Sequence, residues 1–317
     1  MNSQFPENGR NHHSGICAII GPPNSGKSTL LNLFLGQKLS IVTPKPQTTR
    51  NRISGILTRD DAQVLFLDTP GIHKSGKALN RMIVNTAWQT LAEADLILFV
   101  LDGSRYSGDR ATNRLERDLS SIFQRLKNHS QPLILVVNKI DLIGSRPRLL
   151  PLIEHLAGIF PEAEIVPISA LKAEHTAKLL ELLIQKLPLN LPLFPEDQLS
   201  TLPMRFFAAE IIREKLIMVL NQEIPYSIAV EIESWQEIPE KNLTEVHAVI
   251  HVARQNHKQI VIGKQGSRLK QVGREARLEL SSILDQRIHL ELWVKVKPNW
   301  YENRSFLQEL LPEARMV

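Results

Sequence analysis

The chain has 317 residues, of which 43% are hydrophobic and 22% charged, with a formal net charge of +5 and one cysteine, Cys17. This composition is typical of a globular protein long enough for two domains, and it excludes a disulfide framework or a metal site made of several cysteines. No apolar run is long enough to span a membrane, and the polar first residues do not resemble a secretion signal. We therefore expect a cytoplasmic protein.

The N-terminal part of the chain, after a predicted flexible tail at residues 1–14, shows the pattern of an α/β domain over residues 15–190. Short apolar runs alternate there with longer amphipathic segments. Continuous apolar runs indicate strands buried on both faces, and hence a mostly parallel sheet with helices on both faces. The predicted strands are residues 15–20, 64–68, 95–102, 132–138 and 164–169.

A phosphate-binding loop is predicted where the first strand meets the first helix. The stretch GPPNSGKS matches the pattern G-x-x-x-x-G-K-[ST], in which backbone N–H groups and a lysine hold phosphates. Lys27 is expected to reach the β- and γ-phosphates and Ser28 to bind Mg²⁺. The residues predicted to contact the nucleotide here are Gly21, Asn24, Ser25, Gly26, Lys27, Ser28 and Thr29.

Two further segments predict a metal site and a switch. Asp68 ends a strand and begins the motif DTPG, so its carboxylate can bind Mg²⁺ while the N–H of Gly71 meets the γ-phosphate. Between the loop and this strand, PKPQTTRNR offers Thr48 and Thr49 as a switch threonine, and Thr49 is favoured. The predicted metal ligands are thus Ser28, Thr49 and Asp68, and the switch regions are residues 43–50 and 72–80.

The motif NKID indicates that the base is guanine. Asn138, Lys139 and Asp141 follow a buried strand, at the sheet edge where such folds bind ligands. A carboxylate at Asp141 can accept two hydrogen bonds from the guanine edge, whereas adenine offers no matching pair of donors. The segment after the next strand is expected to close over the base by backbone contacts, through Ser169, Ala170 and Leu171.

Ile72 departs from the pattern of Ras-type GTPases, which have a glutamine after this glycine to orient the attacking water. Isoleucine cannot hydrogen-bond to water, so hydrolysis is expected to be slow or assisted. The neighbouring His73 could be taken for a general base, but beside a mobile switch we expect it to be solvated.

A proline-bearing linker is predicted at residues 191–204, followed by a second domain at 205–317. Its elements are expected in the order helix, strand, strand, helix, helix, strand. The last strand alternates apolar residues with His289, Glu291, Trp293, Lys295 and Lys297, which predicts one core face and one basic face. In this second domain, GKQG lies between the two adjacent helices. The stretch from Arg254 to Lys297, which contains GKQG, holds ten Lys or Arg against four Asp or Glu.

Six stretches together resemble the Era family of bacterial GTPases, namely DTPGIHK, PQTTRNR, NKID, FPEDQLSTLPMRFFAAEIIREKL, VIGKQGSRLKQVGREARLEL and HLELWVKVKPNW. The resemblance covers nearly the whole chain apart from the tail. It implies a Ras-like P-loop GTPase domain followed by an α+β type II KH domain. In KH domains a GxxG loop clamps the backbone of single-stranded RNA. The residues that it assigns to RNA binding are Gly263, Lys264, Gln265, Gly266, Arg268 and Lys270.

The resemblance further implies GTP, GDP and Mg²⁺ as ligands and a role for Lys27, Asn24, Thr49 and Gly71 in catalysis. Relatives with a hydrophobic residue at the position of Ile72 use K⁺, held partly by the asparagine that corresponds to Asn24. The expected partner is the 3′ end of 16S rRNA, the expected role is maturation of the 30S subunit, and peripheral attachment to the inner membrane is a family trait. We expect a monomer. Pro22 and Ser25 depart from the usual family loop, as does Leu171 from the usual base-capping motif.

Two other interpretations remain open on the sequence. The protein could be an RNA-binding scaffold in which the GTP site only stabilises the fold, although Lys27, Ser28 and Asp68 argue against this. It could also be a membrane-signalling GTPase whose basic KH surface meets anionic lipid, because Trp293 among lysines fits either surface.

Overall fold

A computed structural model of the chain describes residues 12–45, 48–72, 78–108, 111–220 and 224–310. Contacts between residues divide the chain into two compact units. The first contains the residues up to Gln37, together with Ser54–Asp68 and Gln89–Thr201. The second contains Lys38–Ile53, Thr69–Trp88 and the residues from Leu202 onward. The predicted switch region at residues 43–50 therefore belongs to the same unit as the C-terminal third of the chain.

A six-stranded sheet is the centre of the first unit. Its strands are β1 (His13–Ile20), β2 (Ile53–Arg59), β3 (Ala62–Asp68), β4 (Leu96–Asp102), β5 (Leu133–Asn138) and β6 (Glu164–Pro167). They lie in the order β2-β3-β1-β4-β5-β6, and all pairs from β3 to β6 are parallel. Only two residues join β2 to β3, a connection that fits antiparallel strands. Every residue of β3 is buried, so both faces of the sheet are covered. The predicted mostly parallel α/β fold is confirmed.

These strands are connected by α1 (Lys27–Leu35), α2 (Ala78–Glu93), α3 (Ala111–Leu126) and α4 (Leu150–Ile159), and α5 (Thr176–Lys186) follows β6. Helix α1 begins directly after the phosphate loop and ends at Gly36, whose φ of 66° is the left-handed conformation that glycine allows at a helix end. Within the described parts of the chain, no helix has both the length and the apolar character that a membrane span needs.

The N-terminal boundary differs from the prediction. The predicted tail covered residues 1–14, but His13 and Ser14 are the first residues of β1. Their backbone is held by the end of the first unit, since the N–H of Ser14 donates to the carbonyl of Pro188 at 3.0 Å. Residues 1–11 of that predicted tail lie outside the described residues.

The proline-bearing segment before residue 204 has no helix or strand, yet it is bound to the first unit. The buried side chain of Gln63 accepts hydrogen bonds from the N–H groups of Leu193 and Phe194 and donates one to the carbonyl of Phe194. Further along, the N–H of Ile56 donates to the carbonyl of Leu199 at 2.9 Å. Thr201 is the last residue of the first unit, so most of the predicted linker belongs to that unit.

The second unit has a three-stranded sheet in the order β7-β8-β9. Its elements are α6 (Met204–Val219), β7 (Ile228–Ile238), β8 (Leu243–Val252), α7 (Gln255–Ile262), α8 (Ser267–Leu284), β9 (Arg287–Val296) and α9 (Arg304–Leu310). Strands β7 and β8 are antiparallel, whereas β8 and β9 are parallel. Helices α6 and α8 pack on the sheet around a core that includes Ile211, Val246 and Ala276. The predicted order of elements, that of a type II KH domain, is confirmed.

Candidate nucleotide-binding site and RNA-binding loop

The phosphate loop depends on two glycines that approach neighbouring strands closely. Gly21 has φ 149° and Gly26 has φ 96°, conformations that other residues rarely adopt. A Cβ atom on Gly21 would lie 2.1 Å from the carbonyl oxygen of Val100 in β4, and one on Gly26 would lie 2.2 Å from Nδ2 of Asn138. The glycine pattern of this loop therefore serves its packing on the ends of β4 and β5, in addition to leaving room for phosphates.

Lys27 is the first residue of α1, and its side chain lies back over the loop. The residue is only 6% exposed, and Nζ donates to the carbonyls of Gly21 and Pro22 at 3.1 and 2.9 Å. Burial lowers the pKa of the Lys27 ammonium to about 8. A negatively charged phosphate at the loop would favour the protonated ammonium and so raise this pKa again.

The two predicted metal ligands in the first unit meet side by side. Ser28 is the second residue of α1, and Asp68 is the last residue of β3. The Ser28 hydroxyl donates to Asp68 Oδ2 at 2.7 Å. Mg²⁺ prefers a few oxygen ligands of this kind together with waters and phosphate oxygens, so the pair fits that ion.

The guanine motif lies at the end of β5 and ties two loops together. Asn138 Nδ2 donates to the carbonyl of Ser25 at 2.8 Å, and Asn138 Oδ1 accepts from the N–H of Ala170 at 2.9 Å. Lys139 has a positive φ of 65°, and its Nζ donates to Asp102 Oδ2 at 2.7 Å. Asp102 was missed in the sequence, although it ends β4 in the same way that Asp68 ends β3.

Asp141 is held by the segment that follows β6. The Ser169 hydroxyl donates to Asp141 Oδ1 at 2.5 Å and accepts from the N–H of Lys172 at 3.1 Å. Asp141 itself is half-buried. The Leu171 side chain is 74% exposed. Its backbone contact with the base stays a prediction.

The predicted switch residues outside the phosphate loop belong to the second unit. Thr49, Gly71 and Ile72 are buried there. Thr48 is half-buried, and its hydroxyl bonds to the Thr43 hydroxyl and to the carbonyl of Lys45, both at 2.7 Å.

Of the remaining residues predicted near the γ-phosphate, the structure describes Asn24 but not His73, Pro46 or Gln47. Asn24, in the phosphate loop, is exposed and has φ 60°. His73 and the rest of residues 73–77 lie outside the described residues. Pro46 and Gln47 of the first switch region lie outside them as well.

The GxxG loop joins α7 to α8 by one tight turn. Gly263 has φ 74° and ψ 174°, and Gly266 has φ 75° and ψ 11°. The N–H of Gly266 donates to the carbonyl of Gly263 at 3.1 Å, which closes the turn. Lys264, Gln265, Arg268 and Lys270 are exposed around it, and Arg268 Nη1 donates to the carbonyl of Ile260 at 2.8 Å. The loop thus presents two glycine backbones among three cations.

Two family models match the chain, one in each half. The family described as 50S ribosome-binding GTPase matches residues 16–139, and the KH domain family matches residues 223–301. A GTPase Era from Desulfovibrio desulfuricans is 50% identical over 299 residues, which are 94% of this chain and 97% of that protein. A GTPase Era from Geotalea daltonii is 42% identical over 297 residues, with 94% and 97% covered.

Two solved structures are similar over almost the full length. A variant of Aquifex aeolicus Era bound to GDP and AlF₄⁻ has a TM-score of 0.85 at 42% identity, covering 95% of this chain and 99% of that one. Era in complex with MgGDPNP and nucleotides 1506–1542 of 16S rRNA has a TM-score of 0.86 at 42% identity, with the same coverage. Fold and site define a P-loop GTPase joined to a KH domain. The chain belongs to the Era family of GTPases.

Proposed function

We propose that the protein is a Mg²⁺-dependent GTP switch whose KH domain binds the 3′ end of 16S rRNA and assists maturation of the 30S subunit. The observation that carries this proposal is that one chain combines the Lys27, Ser28 and Asp68 cluster with a GxxG loop. A relative of 42% identity has been solved with both MgGDPNP and a fragment of 16S rRNA. We expect the protein to act as a monomer in the cytoplasm.

The nucleotide would be held by groups with separate tasks. The backbone N–H groups of residues 24–28, at the start of α1, would face the phosphates, whereas Pro22 and Pro23 have no N–H to donate. The Lys27 ammonium would balance the charge of the β- and γ-phosphates. Ser28, Asp68 and Thr49 would hold Mg²⁺. When bound, this ion neutralises charge on the two outer phosphates. Gly71 would sense the γ-phosphate through its N–H, and Asp141 would select guanine, with Ser169, Ala170 and Leu171 beside the base.

Hydrolysis is proposed to be slow without help. Ile72 is buried and apolar, so its side chain can neither orient a water molecule nor stabilise charge. Asn24, exposed at the surface of the phosphate loop, is a suitable oxygen ligand for K⁺. K⁺ in place of Na⁺ should therefore raise the turnover number, and Asn24→Ala should remove this difference.

RNA would bind at the GxxG loop. Because Gly263 and Gly266 lack side chains, an RNA backbone can approach the loop closely, and Lys264, Arg268 and Lys270 supply charge for its phosphates. The same cations could instead meet anionic lipid, which would account for peripheral attachment to the inner membrane. RNA is favoured because a tight glycine turn suits a single strand, whereas a lipid surface needs only charge and apolar contact.

The test is the affinity of the full chain for a single-stranded RNA from the 3′ end of 16S rRNA, with a non-hydrolysable GTP analogue and with GDP at the same salt concentration. Tighter binding with the analogue, and no binding of a scrambled RNA, would support the switch. Equal affinity in the two states, with no GTP turnover, would favour a scaffold instead. Flotation with anionic liposomes that RNA does not compete away would favour the lipid interpretation.

A further inference from the structure

A buried arginine of helix α6 holds the predicted switch region. We use the name switch segment for residues 38–53, which belong to the second unit. Arg213 is only 3% exposed, and its Nη2 donates to the carbonyl oxygen of Thr48 at 2.5 Å. The same guanidinium is fixed by Glu210, which accepts from Nε at 2.7 Å and from Nη2 at 2.5 Å. The geometry of this arginine is therefore set before it meets the switch segment.

Such an ion pair is costly to bury. Removing two charges from water costs several kcal/mol per ion, and their mutual attraction compensates this only in good geometry. An apolar pair of similar size would often stabilise a protein as well. What an apolar pair cannot do is hold a backbone carbonyl in a fixed direction. The contact to Thr48 is thus the feature that distinguishes Arg213 from a packing residue.

The rest of the switch segment is attached to the same helix. Lys45 Nζ donates to the carbonyls of Ile217, at 2.6 Å, and of Leu220, where α6 ends. A cation is favourable there because the last carbonyls of a helix lack partners within it. Near the start of the segment, the N–H of Val42 donates to Glu214 Oε1 at 2.9 Å, and Lys38 pairs with Glu214 at 2.6 Å.

These contacts bear on which threonine can bind the metal. The carbonyl and the hydroxyl of Thr48 are both used within the second unit, the carbonyl by Arg213 and the hydroxyl by Thr43 and Lys45. The carbonyl of Thr48 and the N–H of Thr49 belong to one planar peptide group. By fixing the carbonyl, Arg213 fixes the plane from which Thr49 continues, and so restricts the directions in which Thr49 can present its hydroxyl.

We propose that Arg213, a residue of the RNA-binding part of the chain, is a positioning residue for GTP hydrolysis that acts through the Thr48–Thr49 peptide. This inference rests on the proposed function, in which Thr49 is a metal ligand. It makes α6 the element through which the KH domain and the switch segment influence each other. Nucleotides without a γ-phosphate do not need the switch threonine, so GDP binding should not depend on Arg213.

The test compares Arg213→Met and Arg213→Lys with wild type in GTP turnover and in GDP affinity. Both variants should lower kcat by about tenfold, since small displacements of a positioned group have effects of this size or larger. The Kd for GDP should stay within about twofold, because Lys27 and Asp141 are untouched and GDP does not need the switch threonine. Lysine should fail to rescue because it cannot contact Glu210 through two nitrogens and Thr48 at once.

The matched control is Arg205→Met, which removes an exposed arginine from the first turn of the same helix. It should leave kcat unchanged. Lys45→Met gives a second variant that is less buried than Arg213 and so less able to prevent folding. Its kcat should fall about threefold. The double variant with Arg213→Met should lose less kcat than the product of the two single fold-changes, since both residues hold the same segment.

Unchanged kcat in folded Arg213 and Lys45 variants would overturn the inference. So would a parallel loss of kcat and GDP affinity, because that pattern indicates general damage to the protein. If wild type itself failed to hydrolyse GTP, the proposed function would be wrong, and this result is distinguishable from the others because it does not depend on the variants.

Discussion

Asn138 Nδ2 donates a hydrogen bond to the carbonyl oxygen of Ser25 at 2.8 Å, so the first residue of the guanine motif supports the phosphate loop. Its Oδ1 accepts from the N–H of Ala170. Both ends of the amide are thus used within the protein. Asn138 therefore holds the phosphate loop against the segment that follows β6, whereas Asp141 is the residue that we propose discriminates between bases.

Replacing Asn138 by alanine should lower the affinity for all nucleotides by the same factor. Loss of two buried hydrogen bonds that leave partners unsatisfied costs roughly 1–3 kcal/mol each, so affinity should fall at least tenfold. The ratio of GTP to XTP affinity should not change. Titration with both nucleotides checks this. Asn128 is exposed, so Asn128→Ala serves as the control and should leave both affinities unchanged. A shift in base preference for Asn138→Ala would contradict the bracing role.

Replacing Asp141 by asparagine should change base selectivity. The carboxylate accepts two hydrogen bonds from guanine, whereas an amide offers one acceptor and one donor, which suits the xanthine edge. We expect GTP affinity to fall by about 10- to 100-fold and XTP affinity to rise, since hydrogen bonds to charged groups contribute ~1.5–3 kcal/mol. Competition between the two nucleotides measures the change.

Ser169→Ala tests how Asp141 is held. The Ser169 hydroxyl donates to one oxygen of the Asp141 carboxylate, so its loss should weaken GTP binding in the same direction but by less than Asp141→Asn. An unaltered preference for guanine in Asp141→Asn would show that another group reads the base.

The sequence predicts strands β1, β3, β4, β5 and β6 because each is an almost continuous apolar run. It does not predict β2, whose sequence ISGILTR is interrupted by Gly55 and contains Ser54, Thr58 and Arg59. That glycine is explained only by tertiary packing, since a Cβ on Gly55 would lie 2.5 Å from Leu35 Cδ1 of α1. Local pattern cannot reveal such a contact.

The same limit applies to the site. Lys27, Ser28, Asp68, Asn138 and Asp141 can be found in the sequence because their motifs have fixed spacing next to strands and helices. The bond from Arg213 to Thr48 joins residues 165 positions apart, and nothing near Arg213 in the sequence distinguishes it from an ordinary helix arginine. Contacts of this kind depend on how distant elements pack, which periodicity does not encode.

Nucleotide affinity should depend on pH through Lys27. Burial lowers the pKa of Lys27 to about 8 in the free protein, so its charge is lost as the pH rises through that value. Bound phosphates favour the charged form. GTP affinity should therefore be constant below about pH 7.5 and fall by up to about tenfold per pH unit above 8. Guanosine, which has the same base without phosphates, serves as the control and should lack this slope. Constant GTP affinity up to pH 9 would mean that Lys27 keeps its charge without a ligand.

The two glycines of the GxxG loop should differ in what they tolerate. Gly263 has a positive φ with ψ near 180°, a region essentially confined to glycine, and a Cβ there would meet Arg268 atoms at 2.9 to 3.0 Å. Gly266 has the left-handed conformation, which asparagine also adopts. A Cβ on Gly266 would have room, since the nearest atom would be Lys270 Cε at 3.9 Å. Gly263→Asn should therefore lower the free energy of unfolding by about 1–3 kcal/mol, and Gly266→Asn by less. Denaturant unfolding of the full chain checks this order.

Because Gly266→Asn keeps the loop conformation, it provides a reference for charge. Gly266→Asp has nearly the same shape with an added negative charge, so any further loss of RNA affinity in Asp over Asn reports the approach of a phosphate to this position. We expect Gly266→Asp to bind the 16S rRNA fragment roughly tenfold more weakly than Gly266→Asn at low salt, and the difference to shrink as salt is added. Basal GTP turnover without RNA should be the same in both variants, since the substitution lies in the turn between α7 and α8, outside the switch segment. Equal RNA affinity of the two variants at every salt concentration would place the RNA backbone elsewhere on the KH domain.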